Sequence, residues 1–174
     1  MDKNFYITTP IYYPSAKPHM GHAYSSIIAD FFARFKSIDG FNVHFLTGTD
    51  EHGLKIQRAA ERKDLDTLKF CDEISQTFRN LSNTLNLTNT DFIRTTEERH
   101  KKSVQHLWSE LEKNDEIYLS KYEGWYSISD EAFYSEDEIL EKDGIKIVSS
   151  SGSTVEWIEE ESYFFRLSKW QDKL

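Results

Sequence analysis

The sequence predicts an α/β fold: a parallel sheet covered by helices up to about residue 115, then a β-rich segment to residue 174. Three observations predict it. A strand, a loop, a helix and a second strand follow one another over residues 5–46. Three more helical stretches come next, and after residue 114 aromatic residues begin to alternate with polar ones. A βαβ succession is naturally resolved as parallel strands with helices packed on them. Period-two alternation marks half-buried antiparallel strands.

Phe5-Tyr6-Ile7-Thr8-Thr9 is aromatic and β-branched and stops at Pro10, so it reads as a buried strand, extended by Ile11-Tyr12-Tyr13. Pro14 to Pro18 is a loop. From Gly21 onward Ala23, Ile27, Ile28, Phe31, Phe32 and Phe35 recur at helical spacing, with Gly40 placed to cap the helix. Phe41 to Leu46 is a second strand, ending in Thr47-Gly48-Thr49-Asp50-Glu51-His52-Gly53. Helices are expected over 54–62, over 66–84 with Leu68, Cys71, Ile74, Phe78 and Leu81 on one face, and over 97–113 with Val104, Leu107, Trp108 and Leu111 on one face. A short strand around Phe92-Ile93 precedes the last of these. Tyr118 to Ile128 and Val155 to Phe165 are antiparallel strand candidates, with a turn cluster at Ser149 to Ser153. A boundary at about residue 115 divides the chain into domains 1–115 and 116–174.

Composition narrows the function classes. The formal net charge is −9, whereas nucleic-acid binders present basic faces to phosphates. The longest basic cluster, Arg99 to Lys102, follows Glu97-Glu98 and reads as a helix surface, and Glu159-Glu160-Glu161 reads as a solvated face. Any nucleic-acid surface is therefore local or lies outside these residues. Mean hydropathy is −0.65, and no apolar run approaches the roughly 18 residues of a membrane span. The start, MDKNFYITTP, has neither a basic nor an apolar leader region. Cys71 is the single cysteine, which excludes an intrachain disulfide and a tetrathiolate metal site and points to the cytoplasm.

In parallel α/β sheets ligands sit beyond the carboxyl ends of strands, where loops lead into helix N-termini. The two polar clusters of this chain, Pro14 to His22 and Thr47 to Gly53, fall at two such ends. Three readings of His19 and His22 are open. They cap a helix as ordinary half-buried side chains. They ligate a metal with Asp50 and His52, although the His-x-x-His spacing is not that of the zinc-protease motif. Or they bind phosphate, for which a helix N-terminus supplies unpaired N–H groups and a partial positive charge. Gly21 between them lacks a Cβ, so an adenine or ribose could approach the backbone. No Gly-x-x-x-x-Gly-Lys-Ser/Thr occurs, so this is not a P-loop.

His19-Met20-Gly21-His22 resembles the "HIGH" signature of class I aminoacyl-tRNA synthetases. Phe5 to Pro14, Phe45 to Gly53 and Glu160 to Lys169 together resemble the bacterial methionyl-tRNA synthetase family, in order and along the whole chain. The resemblance implies a Rossmann-like catalytic domain, of which 1–115 is the N-terminal half, followed at 116–174 by the connective insertion. It implies activation of L-methionine by ATP, with Mg2+ accompanying the nucleotide, and transfer to tRNA(Met) through regions mostly outside this chain. Carried over residue by residue, His19 and His22 are the catalytic pair on the ATP phosphates, with Gly21 in the ATP site. Ile11, Tyr13 and Asp50 line the methionine site, Asp50 facing the ammonium. Tyr12 and Tyr13 are also open to a purely structural reading as strand-end aromatics.

The departures are informative. The second ATP signature of the class, Lys-Met-Ser-Lys-Ser, is absent from these residues, so the chain is expected to be an inactive N-terminal fragment. Many members hold zinc with two Cys-x-x-Cys pairs in the insertion. Here Ser127 and Asp130 stand at the first pair and Val148 and Ser151 near the second, so no zinc is expected. The alternatives are another class I synthetase for an apolar amino acid, or a truncated non-catalytic nucleotide-binding module.

Overall fold

β1 (Asn4–Thr8), α1 (Met20–Ile38) and β2 (Asn42–Thr49) form the expected βαβ unit in a computed structural model that describes residues 3–142 and 144–173. α2 (Leu54–Glu61) and α3 (Thr67–Thr84) then lead to β3 (Asp91–Arg94). The strands make a parallel sheet in the order β1-β2-β3, with Asn4 opposite Asn42 and Leu46 opposite Asp91. Two connections that step across the sheet in one direction place their helices on one face. Tyr12 stacks on Phe78 of α3 with ring centroids 5.4 Å apart, and His22 of α1 meets the same ring edge-on at 5.1 Å.

That one-sided cover corrects the expectation of a buried first strand. Among the described residues β1 lies at the edge of the sheet, and Tyr6 is 61% exposed, stacked 5.4 Å from its register partner His44. α1 also turns differently from its apolar period. Ala23, Ser26, Ala29, Asp30 and Ala33 are buried, while Ile27, Ile28, Phe31, Phe32 and Phe35 are largely exposed. Small side chains let the helix backbone approach the sheet, where Phe45 fills the space against Ala29 and Ala33. Asp30 ties α1 to the loop between α3 and β3. It accepts from the Thr88 N–H and hydroxyl at 2.6 Å each, and from Arg34 Nε at 2.6 Å.

The main core lies under the carboxyl ends of the strands and joins Tyr12, Ile56, Ala60, Phe70, Cys71, Ile74, Phe78 and Phe92. On α3, Phe70 takes the place expected for Leu68, which is exposed. β2 runs three residues past its expected end because Thr47, Gly48 and Thr49 pair with Phe92, Ile93 and Arg94. Gly48 is required there, since a Cβ would lie 2.0 Å from the Ile93 carbonyl oxygen. The C-terminus of α1 follows the expected pattern, with Gly40 at φ +81 just beyond the helix.

The described residues form two compact units, the first ending at Lys102 and the second beginning at Ser103, inside α4 (Glu98–Lys113). α4 buries none of the face expected of it. In the second unit β4 (Ile117–Ser127) pairs antiparallel with β8 (Glu156–Phe165) from Ile117–Phe165 to Tyr126–Glu156, and β5 (Ala132–Tyr134) flanks β4. A two-stranded ladder of β6 (Ile139–Lys142) and β7 (Ile145–Val148) was not foreseen, each strand being four residues long.

Between β4 and β5 the Asp130 carboxylate accepts four hydroxyls: Ser151 and Ser153 at 2.7 Å, Tyr134 at 3.0 Å and Ser129 at 3.4 Å. These bonds hold its carboxyl below the usual Asp range. Ser127 and Val148 are fully buried beside this knot. The positions where zinc-binding members carry thiols thus hold a saturated carboxylate, a hydroxyl that accepts the Asp130 N–H at 3.3 Å, a buried valine and Ser151. They do not fit a zinc ion, which prefers four thiolate or imidazole ligands in a structural site.

Candidate active site

His19 is the N-cap residue of α1 because its extended backbone lets the side chain turn back onto the first helical turn. Its Nδ1 accepts the Gly21 N–H at 3.0 Å, and His22 Nδ1 accepts the His19 N–H at 3.0 Å. The two rings lie 3.9 Å apart between centroids. An imidazole accepting at Nδ1 carries its proton on Nε2, so the reciprocal cap leaves two Nε2–H donors for a ligand. Burial pushes the His22 pKa down, and repulsion from His19 adds to the effect. Gly21 has a structural reason not visible in sequence, since a Cβ there would meet His19 Cε1 at 2.9 Å.

A cavity of about 270 Å³ opens at this helix start, lined by Ile11, Tyr13, Lys17, His19 and His22, with Tyr12 at its floor. Tyr12 is a core residue. Its hydroxyl bonds the Ser26 and Ser25 hydroxyls at 2.9 and 3.0 Å, and its ring is stacked on Phe78. Alternation along the chain therefore leaves its neighbours Ile11 and Tyr13 on the cavity side, 47% and 42% exposed. Lys17 was not singled out in the sequence, although it lies inside the same Pro14 to His22 loop. A larger cavity of about 530 Å³, lined by Arg34, Asn42 and Thr88 among others, opens at the start of β2. That is the amino end of the strands, away from the loops where parallel sheets bind ligands.

Asp50 stands at the neighbouring strand end. Its N–H donates to the Tyr12 carbonyl at 2.9 Å, and Tyr12 N–H donates to Gly48 O at 3.0 Å, so the two loops are tied by the sheet itself. Thr95 Oγ1 approaches Asp50 Oδ1 at 3.5 Å. Glu51, which the sequence reading passed over, is buried. It accepts Arg94 Nε at 2.7 Å, Arg94 Nη2 at 2.9 Å, Thr49 Oγ1 at 2.8 Å and Thr96 Oγ1 at 2.5 Å. Burial alone would raise the Glu51 pKa, but the Arg94 and threonine bonds outweigh it and hold the carboxyl below its ordinary value. His52 is exposed, its Nε2 3.4 Å from the Thr95 carbonyl. Among the described residues no three His, Cys, Asp or Glu side chains group as metal ligands, so the set His19, His22, Asp50 and His52 is not assembled as one. No helix among them is long and apolar enough to cross a membrane.

Comparison with known proteins places the chain in a family and matches its fold. The family model for tRNA synthetases class I (M) matches residues 5–174. A methionine–tRNA ligase of Rickettsia conorii is 53% identical over 174 residues, covering 100% of this chain and 34% of its own length. A Mycobacterium tuberculosis methionyl-tRNA synthetase in complex with methionyl-adenylate superposes with a TM-score of 0.92 at 44% identity, over 98% of this chain and 34% of the other. A leucyl enzyme of Agrobacterium radiobacter in a ternary complex with tRNA shares the fold alone, at 20% identity and a TM-score of 0.74. The chain thus spans about a third of the length of the relatives it matches. On a family match from residue 5 to residue 174, the chain belongs to the tRNA synthetases class I (M).

Proposed function

We propose that this chain is the N-terminal part of a methionine–tRNA ligase, supplying the methionine site and half of the ATP site. The observation that carries the reading is the cavity in which Ile11, Tyr13, His19 and His22 converge, with Asp50 tied to Tyr12 beside it. The 53% identity to a relative named methionine–tRNA ligase supports the same assignment.

In the proposed reaction a carboxylate oxygen of L-methionine attacks the α-phosphorus of ATP. The bond from that phosphorus to the bridging oxygen of pyrophosphate breaks, and methionyl-adenylate forms. The Nε2–H groups of His19 and His22 and the α1 N-terminus hold negative charge on the phosphates, Mg2+ accompanies the nucleotide, and Gly21 keeps the His19 ring in place. Such catalysis is positioning plus electrostatics, without a covalent enzyme intermediate. Asp50 pairs with the methionine ammonium, and Ile11 and Tyr13 face the thioether, where sulfur–aromatic contacts contribute about 0.3–1.5 kcal/mol. The hydroxyl of the terminal adenosine of tRNA(Met) then attacks the adenylate carbonyl and AMP leaves, at surfaces mostly outside these residues. The compartment proposed is the cytoplasm, and no zinc is assigned to the second unit.

The test is methionine-dependent ATP–pyrophosphate exchange by the full reading frame carrying this chain, with residues 1–174 alone as the comparison. Exchange with methionine, lost in the fragment and weakened by Asp50→Ala, supports the reading. Exchange driven by leucine, valine or isoleucine instead of methionine overturns it.

A further inference from the structure

Asp50 and Glu51 are adjacent carboxylates with opposite fates. Glu51 has no exposed side-chain surface and is locked in a bidentate pair with Arg94, while Asp50 forms no ion pair among the described residues. The residues from the end of β3 onward sort themselves by alternation. Arg94 and Thr96 grip the Glu51 carboxylate. Thr95 between them accepts the Glu51 N–H at 2.8 Å and turns its hydroxyl towards Asp50 Oδ1 at 3.5 Å. The Arg94 guanidinium is completed by Asp72 at 2.6 Å. It is thereby withheld from Asp50, whose charge is left for a ligand.

A buried ion pair is a poor source of stability compared with apolar packing of the same volume. What it supplies is fixed geometry, because the planar guanidinium accepts one carboxylate orientation. We propose that Arg94 and Glu51, acting through Thr95, are positioning residues that hold Asp50 as an unneutralised anchor for a substrate ammonium group. This rests on the reading of Asp50 as the methionine ammonium partner. Neither Arg94 nor Glu51 touches substrate. Their effect is confined to the amino-acid side of the site, because the nucleotide side is built by the independent cap of His19 and His22.

The experiment compares the full reading frame with its Thr95→Val and Arg94→Lys variants in ATP–pyrophosphate exchange, varying methionine and ATP separately. Thermal melts followed by circular dichroism accompany the kinetics. Thr95→Val keeps the side-chain volume and removes only the hydroxyl; Arg94→Lys keeps the charge and removes the fork. The expected result is a KM for methionine raised roughly tenfold in both, with the KM for ATP level, as for loss of a bond to a charged group. If Arg94→Lys fails to fold, Thr95→Val decides alone. An unchanged methionine KM in a methionine-dependent wild type overturns the clamp and leaves the Asp50 reading standing, as does a parallel rise in both KM values. A wild type that needs no methionine overturns the Asp50 reading and the clamp with it.

Discussion

The backbone N–H of His19 donates to Nδ1 of His22 at 3.0 Å, so each signature histidine helps to cap the helix that the other occupies. Structural and chemical roles are therefore superimposed in the same two rings, and substitutions can separate them. His19→Ala removes the cap and the imidazole, and should lower stability by about 1 kcal/mol. His19→Asn restores a good cap without the Nε2–H donor and should keep the wild-type melting point. Exchange activity should fall by about 10²–10³ in both, the loss typical of one transition-state donor. Full activity in the asparagine variant would refute the phosphate role.

Gly48→Ala should be among the most damaging single-methyl additions in the chain. Its Cβ would be placed 2.0 Å from the Ile93 carbonyl oxygen, which belongs to the neighbouring strand backbone and cannot swing away. Overpacking of this kind costs about 3 kcal/mol or more. Urea denaturation of the two proteins measures it, and an unchanged midpoint would contradict the strand register.

Glu51 gives the fold an acid sensitivity of definite sign. Its carboxyl is held below the ordinary value of 4.5 in the native state by Arg94, Thr96 and Thr49, with Asp72 beyond Arg94. The stabilisation is therefore fully present above the unfolded-state pKa and is lost as pH falls through the lower native value. Asp30 contributes in the same direction, since the Arg34 and Thr88 bonds outweigh its burial. Denaturation midpoints taken from neutral pH into the acid range should fall steeply in the wild type. They should fall less in Glu51→Gln, which starts lower because Arg94 has lost the buried one of its two counter-charges. Parallel curves would show that Glu51 carries none of the acid response.

The Asp130 knot predicts a second unit that needs no metal. Asp130→Ala should lower its melting temperature by releasing Ser129, Tyr134, Ser151 and Ser153. A chelator should leave the wild-type melt where it was. Stoichiometric zinc in elemental analysis of purified protein would contradict the assignment.

The sequence made the order of elements legible because hydrophobic period and turn residues are local signals. α1, α2, α3, α4, β2, β4 and β8 lie close to their expected spans. It left open which side of α1 is buried. The apolar set on that helix is wider than one stripe, and only the sheet decides that alanines rather than phenylalanines meet Phe45. The Ile11, Tyr13, His19, His22 and Asp50 positions are proposed from the family resemblance, with the strand ends pointing to the clusters that hold His19, His22 and Asp50. Arg94 and Thr95 were not singled out, because their partners lie 43 to 45 residues away in sequence. Gly48 falls beyond the expected end of the second strand, whereas the approach of β3 makes it a strand residue.

Cys71 lies buried in the main core, its thiol pushed up to about 11 by desolvation and by the nearby Glu51 charge. The nucleophile in thiol alkylation is the thiolate, so this side chain is both shielded and chemically dormant at neutral pH. A cysteine introduced at an exposed position of these 174 residues would consequently react alone with a maleimide dye. Residues 1–174 thus come with a silent background for single-site fluorescent labelling, and a reporter beside the candidate site can be attached without first removing a native thiol.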